Sequence, residues 1–189
     1  MTETLETAAL APALAPASPA TLEAIASAYD EHAPVIFRVL RRFGVPDAAV
    51  DDAVQDVFLV ACRRYAEFEG RSSTRTWLYG IARRVARDYR RDRQRELRAS
   101  SDVDRLHASR DPASISESAE AARLLDCALE GMSETLREVY VLLELEELSA
   151  PEIARLMDLP LNTVYSRVRL ARQHVQTFMR ELRSARRTP

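Results

Sequence analysis

Arg83, Arg87, Arg90 and Arg91 recur at helical spacing, so one helix face carries them, with Arg84 beside it. Just upstream lies a polar loop, Glu69-Gly70-Arg71-Ser72-Ser73, followed by Trp77. Guanidinium groups beside a polar loop with an aromatic at its root suit a single strand: the cations hold the backbone and an extruded base enters the loop. Core packing is the competing role for Trp77 and accounts for most of its ring. A second set, Asn162, Tyr165, Ser166, Arg169 and Arg172, also shares a helix face. Asn, Ser and Arg there can read base edges while neighbouring arginines hold phosphates. The competing role is a helical hairpin with solvated arginines. Bond-making chemistry has no comparable set: no nucleophile–base pair and no glycine-rich phosphate loop is present, so an enzyme is not expected and no cofactor is implied. Cys62 and Cys127 stand apart, as do His32, His107 and His174, so neither a metal site nor a disulfide framework is expected.

The charge of the 189 residues is blocked. The net value of −2 conceals four aspartates and no basic residue between Gly44 and Cys62. Twelve arginines face five acids from Arg63 to Arg98, eight acids face two arginines from Leu129 to Asp158, and seven arginines face one acid from Leu161 to Arg187. Two basic blocks separated by acidic ones point to two separate phosphate-binding surfaces. Lysine is absent, so the use of arginine carries no argument of its own.

The elements that must position these residues are helices, since four glycines and an excess of Leu, Ala, Arg and Glu favour no other class. Residues 1–20 are Ala/Pro-rich and read as a disordered leader. The first helical unit, 21–97, starts its apolar period at Leu22 and continues through Tyr29, Ala33, Ile36, Phe37 and Leu40, with Pro34 expected to kink or restart the helix. Gly44-Val45-Pro46-Asp47 is a break in which Asp47 suits an N-cap. The next helix buries Val50, Val54, Val57, Phe58 and Ala61, and Trp77 opens a third with Leu78, Ile81, Ala82, Val85 and Tyr89 on one side. Residues 98–118 lose the period and read as a flexible linker.

The second unit, 119–185, resumes with Leu124, Leu125, Ala128 and Leu129, and Ser133 is placed to cap a helix bearing Leu136, Val139, Tyr140 and Leu143. Ser149-Ala150-Pro151-Glu152 is a capping box that opens a helix with Ile153, Ala154, Leu156 and Met157 inward. Asp158-Leu159-Pro160 turns the chain into a helix running to at least Gln173, with Val164, Val168, Ala171 and Val175 inward. This is the helix-turn-helix pattern, whose second helix lies in the major groove. The fold expected is all-α: two small helical bundles joined by a flexible linker, the second containing a helix-turn-helix.

Three segments together resemble a known family. Phe68 through Arg83 is similar to the promoter-melting segment of extracytoplasmic-function sigma factors of the sigma-70 family, Asp51 through Leu59 to their polymerase-binding helix, and Leu148–Ala154 with Asn162–Arg172 to their promoter-reading helix-turn-helix. The resemblance implies a sigma factor that binds core RNA polymerase and directs promoter-specific initiation. Asp51, Asp52, Gln55, Asp56 and Leu59 would dock on the clamp helices of the largest subunit. Asp52, Gln55, Asp56 and Leu59 fall in one i, i+3, i+4, i+7 stripe, as docking needs. Gly70, Arg71, Ser72, Ser73 and Trp77 would receive a base from the minus-ten element while Arg83, Arg84, Arg87, Arg90 and Arg91 hold the strand. Asn162, Thr163, Tyr165, Ser166, Arg167, Arg169 and Arg172 would read the minus-thirty-five element. Other implied partners are the polymerase flap, promoter DNA and an anti-sigma factor clamped between the two units.

The linker fits this use, because 21 extended residues reach about 70 Å and two turns of duplex cover roughly the same. The chain departs from the family pattern at Asp158, where a glycine is usual, at Thr74, where Phe is usual, and at Arg84, where Asn is common. The alternative is a helix-turn-helix regulator that never engages polymerase, but it leaves the acidic stripe and the Gly70–Trp77 loop without a role. No apolar run approaches a membrane span, no secretory signal is read at the N-terminus, and a cytoplasmic location is expected.

Overall fold

The computed structural model describes residues 18–99 and 117–185, and every regular element in them is helical, as expected. The expected leader up to residue 17, residues 100–116 of the expected linker, and Arg186 and Arg187 lie outside the described residues.

Helix α1, Pro19–Arg42, begins before the first apolar residue of its period because Ser18 caps it: the Thr21 amide donates to Ser18 Oγ at 3.1 Å, with Pro at the first turn. It runs through Pro34 without the restart that was one of the two expected outcomes. Ile25 and Ala28 before the proline and Ile36, Val39 and Leu40 after it are buried in the same core. Packing on both sides holds the helix together despite the missing amide. Tyr29, expected inward, is 47% exposed and makes an edge contact with Phe58, with ring centroids 4.8 Å apart.

A 3₁₀ turn, Asp47–Ala49, precedes α2, Val50–Arg64. Asp47 is therefore not the N-cap of α2; its carboxylate instead accepts from Arg41 Nε at 2.8 Å and ties the end of α1 to the turn. Helix α2 buries Val50, Val54, Val57, Phe58 and Ala61, the residues its period marks. Helix α3, Thr74–Ala99, starts one turn earlier than Trp77 because Ser73 Oγ accepts from the Thr76 amide at 3.1 Å. Together α1, α2 and α3 form the first bundle, with Leu78, Ile81, Ala82 and Val85 facing α1 and α2.

The second bundle packs α4, Glu117–Glu130, α5, Glu134–Tyr140, and α6, Ala150–Met157, against α7, Leu161–Ala185. Ser133 stands at the N-cap of α5 with extended backbone, but its hydroxyl makes no capping bond. Helix α5 widens into a π-helical turn, Val141–Leu145, and Glu147 follows with φ of 58°. Helix α7 extends well beyond Gln173 and buries Val164, Val168 and Ala171. The two bundles are not separate in space. Helix α3 lies against α6, and one buried cluster runs from Ile36 and Leu78 through Leu142 and Ile153. No helix of the described residues is long and apolar enough to cross a membrane.

Candidate functional site

Three surfaces carry the expected residues. On α2, Asp51, Asp52, Gln55 and Leu59 point to solvent, and Leu59 is 46% exposed. Asp56 shares the stripe but is half-buried, and it accepts a hydrogen bond from the Tyr89 hydroxyl of α3 at 2.8 Å. Burial pushes the Tyr89 phenol up to about 12, with the Asp56 bond and the Asp56 and Asp52 charges adding to it. Asp56 thus fixes α2 to α3 as well as lending charge. Leu59 and Val60 line a shallow groove closed on the other side by Val85 and Tyr89, so the acidic stripe borders an apolar seat.

The second surface is the loop before α3 together with the arginines of that helix. Gly70 has φ of +67°, a left-handed conformation that a side chain would strain, although nothing crowds it. Arg71 and Ser72 are exposed, and Arg71 pairs with Glu69 at 2.9 Å. Ser73 is occupied as the cap of α3 and also exchanges a hydrogen bond with Thr76 Oγ1 at 2.9 Å. Trp77 is half-buried and lies against Phe68, ring centroids 4.8 Å apart, so most of its ring serves packing. The expected arginine face is divided. Arg84, Arg87 and Arg91 are exposed, whereas Arg83 and Arg90 both reach the carboxylate of Glu138 on α5.

The helix-turn-helix is the third surface. Glu152 Oε2 accepts from the Ser149 amide at 2.9 Å and from its hydroxyl at 2.6 Å, and these bonds hold the Glu152 carboxyl below its ordinary range. Asp158 takes the left-handed conformation at φ 52° and ψ 55°, the geometry for which its position otherwise favours glycine. The Leu159 amide then returns to the Ala154 carbonyl at 2.9 Å and closes the turn. Asn162, Tyr165, Ser166 and Arg169 are exposed on α7, while Thr163 and Arg167 are half-buried at its edge. Arg172 is on the same side but held: its Nε and Nη2 lie 2.7 Å and 2.6 Å from Glu144 Oε1.

The residues that sequence reasoning missed are those between the bundles. Tyr79 is fully buried and donates to Glu146 Oε2 at 2.5 Å, and Arg42 reaches the other oxygen at 3.4 Å. Burial, with the Glu146 bond and charge adding to it, raises the Tyr79 phenol far above its usual value. Glu138 is 2% exposed and Glu146 is 7% exposed. One signal was available: Glu138 shares its helix face with Val141 and Leu142 one turn on, both apolar.

Comparison with known proteins places matching families along the same elements. A family model described as Sigma-70 region 2 matches residues 28–96, and one described as Sigma-70, region 4 matches residues 122–175. The ECF RNA polymerase sigma-E factor of Escherichia coli (strain K12) is 35% identical over 149 residues, 73% of this chain and 78% of the relative. That of Haemophilus influenzae is 33% identical over 143 residues, 70% of this chain and 76% of the relative. Among solved structures, CnrH in complex with the cytosolic domain of CnrY aligns with a TM-score of 0.63 at 27% identity, covering 85% of this chain and 90% of CnrH. RpoE with the anti-sigma factor NepR from Bartonella quintana aligns with a TM-score of 0.69 at 21% identity, covering 84% and 98%, a likeness of fold.

Proposed function

Because the chain belongs to the sigma-70 family, in its extracytoplasmic-function class, we propose that its three surfaces divide the tasks of transcription initiation between them. The protein is a sigma factor, which binds core RNA polymerase and directs it to promoter DNA. The observation that carries this reading is the order of the two family matches along one chain, region 2 over most of α1–α3 and region 4 over most of α4–α7.

In the proposed division, Asp51, Asp52, Gln55, Asp56 and Leu59 dock on the polymerase, supported by the exposed acidic stripe beside an apolar groove. Gly70, Arg71 and Ser72 take a flipped base of the minus-ten element, with Ser73 and Trp77 holding the loop in place. Arg84, Arg87 and Arg91, joined by Arg83 and Arg90, carry the strand. The exposed face of α7 reads the minus-thirty-five element through Asn162, Tyr165, Ser166 and Arg169, with Thr163, Arg167 and Arg172 at its margin. Unpairing needs no nucleotide hydrolysis, because binding to the extruded strand offsets it. Residues 21–97 and 119–185 act as the two modules, and the protein works in the cytoplasm, where it meets its polymerase. An anti-sigma factor is the further partner, clamped between the two bundles, a reading supported by solved structures of CnrH in complex with the cytosolic domain of CnrY and of RpoE in complex with the anti-sigma factor NepR.

The test is reconstitution. Mixed with core polymerase and fragmented genomic DNA, the protein yields specific run-off transcripts. No transcripts and no measurable core binding would overturn the reading, and tight sequence-specific binding to duplex alone would replace it with a simple regulator.

A further inference from the structure

Helix α7 carries Arg167, Arg169, Arg172, Arg180 and Arg183, and among the described residues only Arg172 of these forms an ion pair. Its partner, Glu144, comes from another element, the π-helical turn that follows α5. Arg172 Nε lies 2.7 Å from Glu144 Oε1, and Nη2 lies 2.6 Å from the same oxygen. The side edge of the guanidinium is thereby filled. Its end edge, Nη1 with the outer hydrogen of Nη2, is left for another ligand. The Arg172 side chain is 56% exposed and that of Glu144 28%. Tyr140, half-buried one turn before Glu144, flanks the pair: burial raises its phenol, the Glu144 charge adds to the rise and the Arg172 charge opposes it.

Neither stability nor charge accounts for this acid. Helices α5 and α7 already pack on each other, with Val139, Val164 and Val168 in the buried cluster. A half-exposed ion pair adds at most about 1 kcal/mol to such packing. Arg172 lines one shallow groove along α7 with Tyr165 and Arg169, two residues of its exposed face. A carboxylate beside phosphates repels them, so by charge alone Glu144 weakens the hold of that face on DNA. What the pair supplies is geometry. A free arginine gives up rotamers when it binds, and a buttressed one has given them up already.

We propose that Glu144 is a positioning residue for promoter reading: it aims the end edge of Arg172 at one backbone phosphate on the rim of the minus-thirty-five groove, and so sets the register in which Asn162, Ser166 and Arg169 meet the bases. A recognition helix reads base edges with its first turns, and Arg172 stands about three turns beyond Asn162, which makes a phosphate its ligand. The end edge of a guanidinium takes a phosphate through two parallel bonds. Contacts of this kind carry no sequence information themselves but fix orientation and register on the duplex. The π-helical turn that presents Glu144 is a local irregularity of the sort that recurs at functional positions. This role for Glu144 rests on the DNA-reading role given above to α7.

Holoenzyme reconstituted with core polymerase provides the test, on a promoter found in the run-off assay and on the same promoter with its minus-thirty-five element scrambled. Wild type prefers the intact form. E144Q keeps the size of the side chain and removes its charge. It should lower affinity for the intact promoter about fivefold, the cost of ordering one long side chain, and raise affinity for the scrambled one, where a released arginine follows any phosphate. Charge alone predicts tighter binding to both. E144D keeps the charge but shortens the reach, and should lose part of the preference in the same direction. R172A should lose at least as much on the intact promoter, and E144Q added to it should lose nothing further. Thermal melts of the free variants should match wild type. Equally tighter binding of E144Q to both promoters would overturn the positioning role and leave Glu144 a counterion. An equal loss on both, with a lower melting temperature, would overturn it in favour of a tie between α5 and α7. If R169A keeps the full preference for the intact promoter, α7 is not the reading helix, and the reading beneath this one fails instead.

Discussion

Asp52 and Asp56 share a stripe and a charge, yet their surroundings give them different tasks. Asp52 is exposed, so D52R should cut affinity for core polymerase by more than tenfold in a pull-down titration and leave the melting temperature unchanged. Asp56 accepts from Tyr89, so D56N or Y89F should cost about 1 kcal/mol of stability in urea melts, the usual net worth of one such bond. The pH sign follows from the raised phenol. Tyr89 favours its neutral form in the fold, so its contribution is complete below about 10, the ordinary value for tyrosine. It is lost as pH rises towards about 12. The stripe itself was legible, because helical spacing alone decides which residues share a face. The Tyr89 hydroxyl was not, since its partner depends on how α2 and α3 cross. Ser73 repeats the lesson: a loop serine in a motif has a local occupation as a cap, visible only once the start of α3 is known.

Among the elements, the helix-turn-helix was read most fully, because each of its signals is local. The capping box, the left-handed residue and the inward valines all act within a few residues of one another. S149A should therefore cost about 1 kcal/mol and lower helicity, measured by thermal melts. Glu152 is held below the ordinary carboxyl range, so its support for α6 is present above about pH 4.3 and fades as pH falls below it. E152Q should flatten that acid dependence. D158G should be neutral or stabilising, whereas D158A should destabilise by roughly 1 kcal/mol, because alanine has no polar group to ease the left-handed backbone. Pro34, Asp47 and the π-helical turn were not legible for the opposite reason. A helix survives a proline when both flanks are packed, and an acid placed to cap a helix is diverted when Arg41 lies within reach.

For the molecule as a whole, the two bundles were foreseen and their contact was not. Glu138 and Glu146 read as two acids in an acidic block, and their partners Arg83 and Tyr79 lie 55 and 67 residues away in sequence. No periodicity links positions so far apart. Tyr79 offers a second handle on the contact. Its phenol is held neutral by burial and by Glu146, so its contribution to stability is complete below about pH 10 and is lost as pH rises above that. Stability in urea melts should fall over that range, and Y79F should flatten the fall. The paired arginines also bear on ionic strength. Binding a strand displaces counterions from its phosphates, so salt opposes it. Salt equally screens Arg83 and Arg90 from Glu138, so it weakens the contact between the bundles. Rising salt should therefore weaken strand binding and lower the melting temperature of the free chain together, and E138Q should keep the first response while losing part of the second.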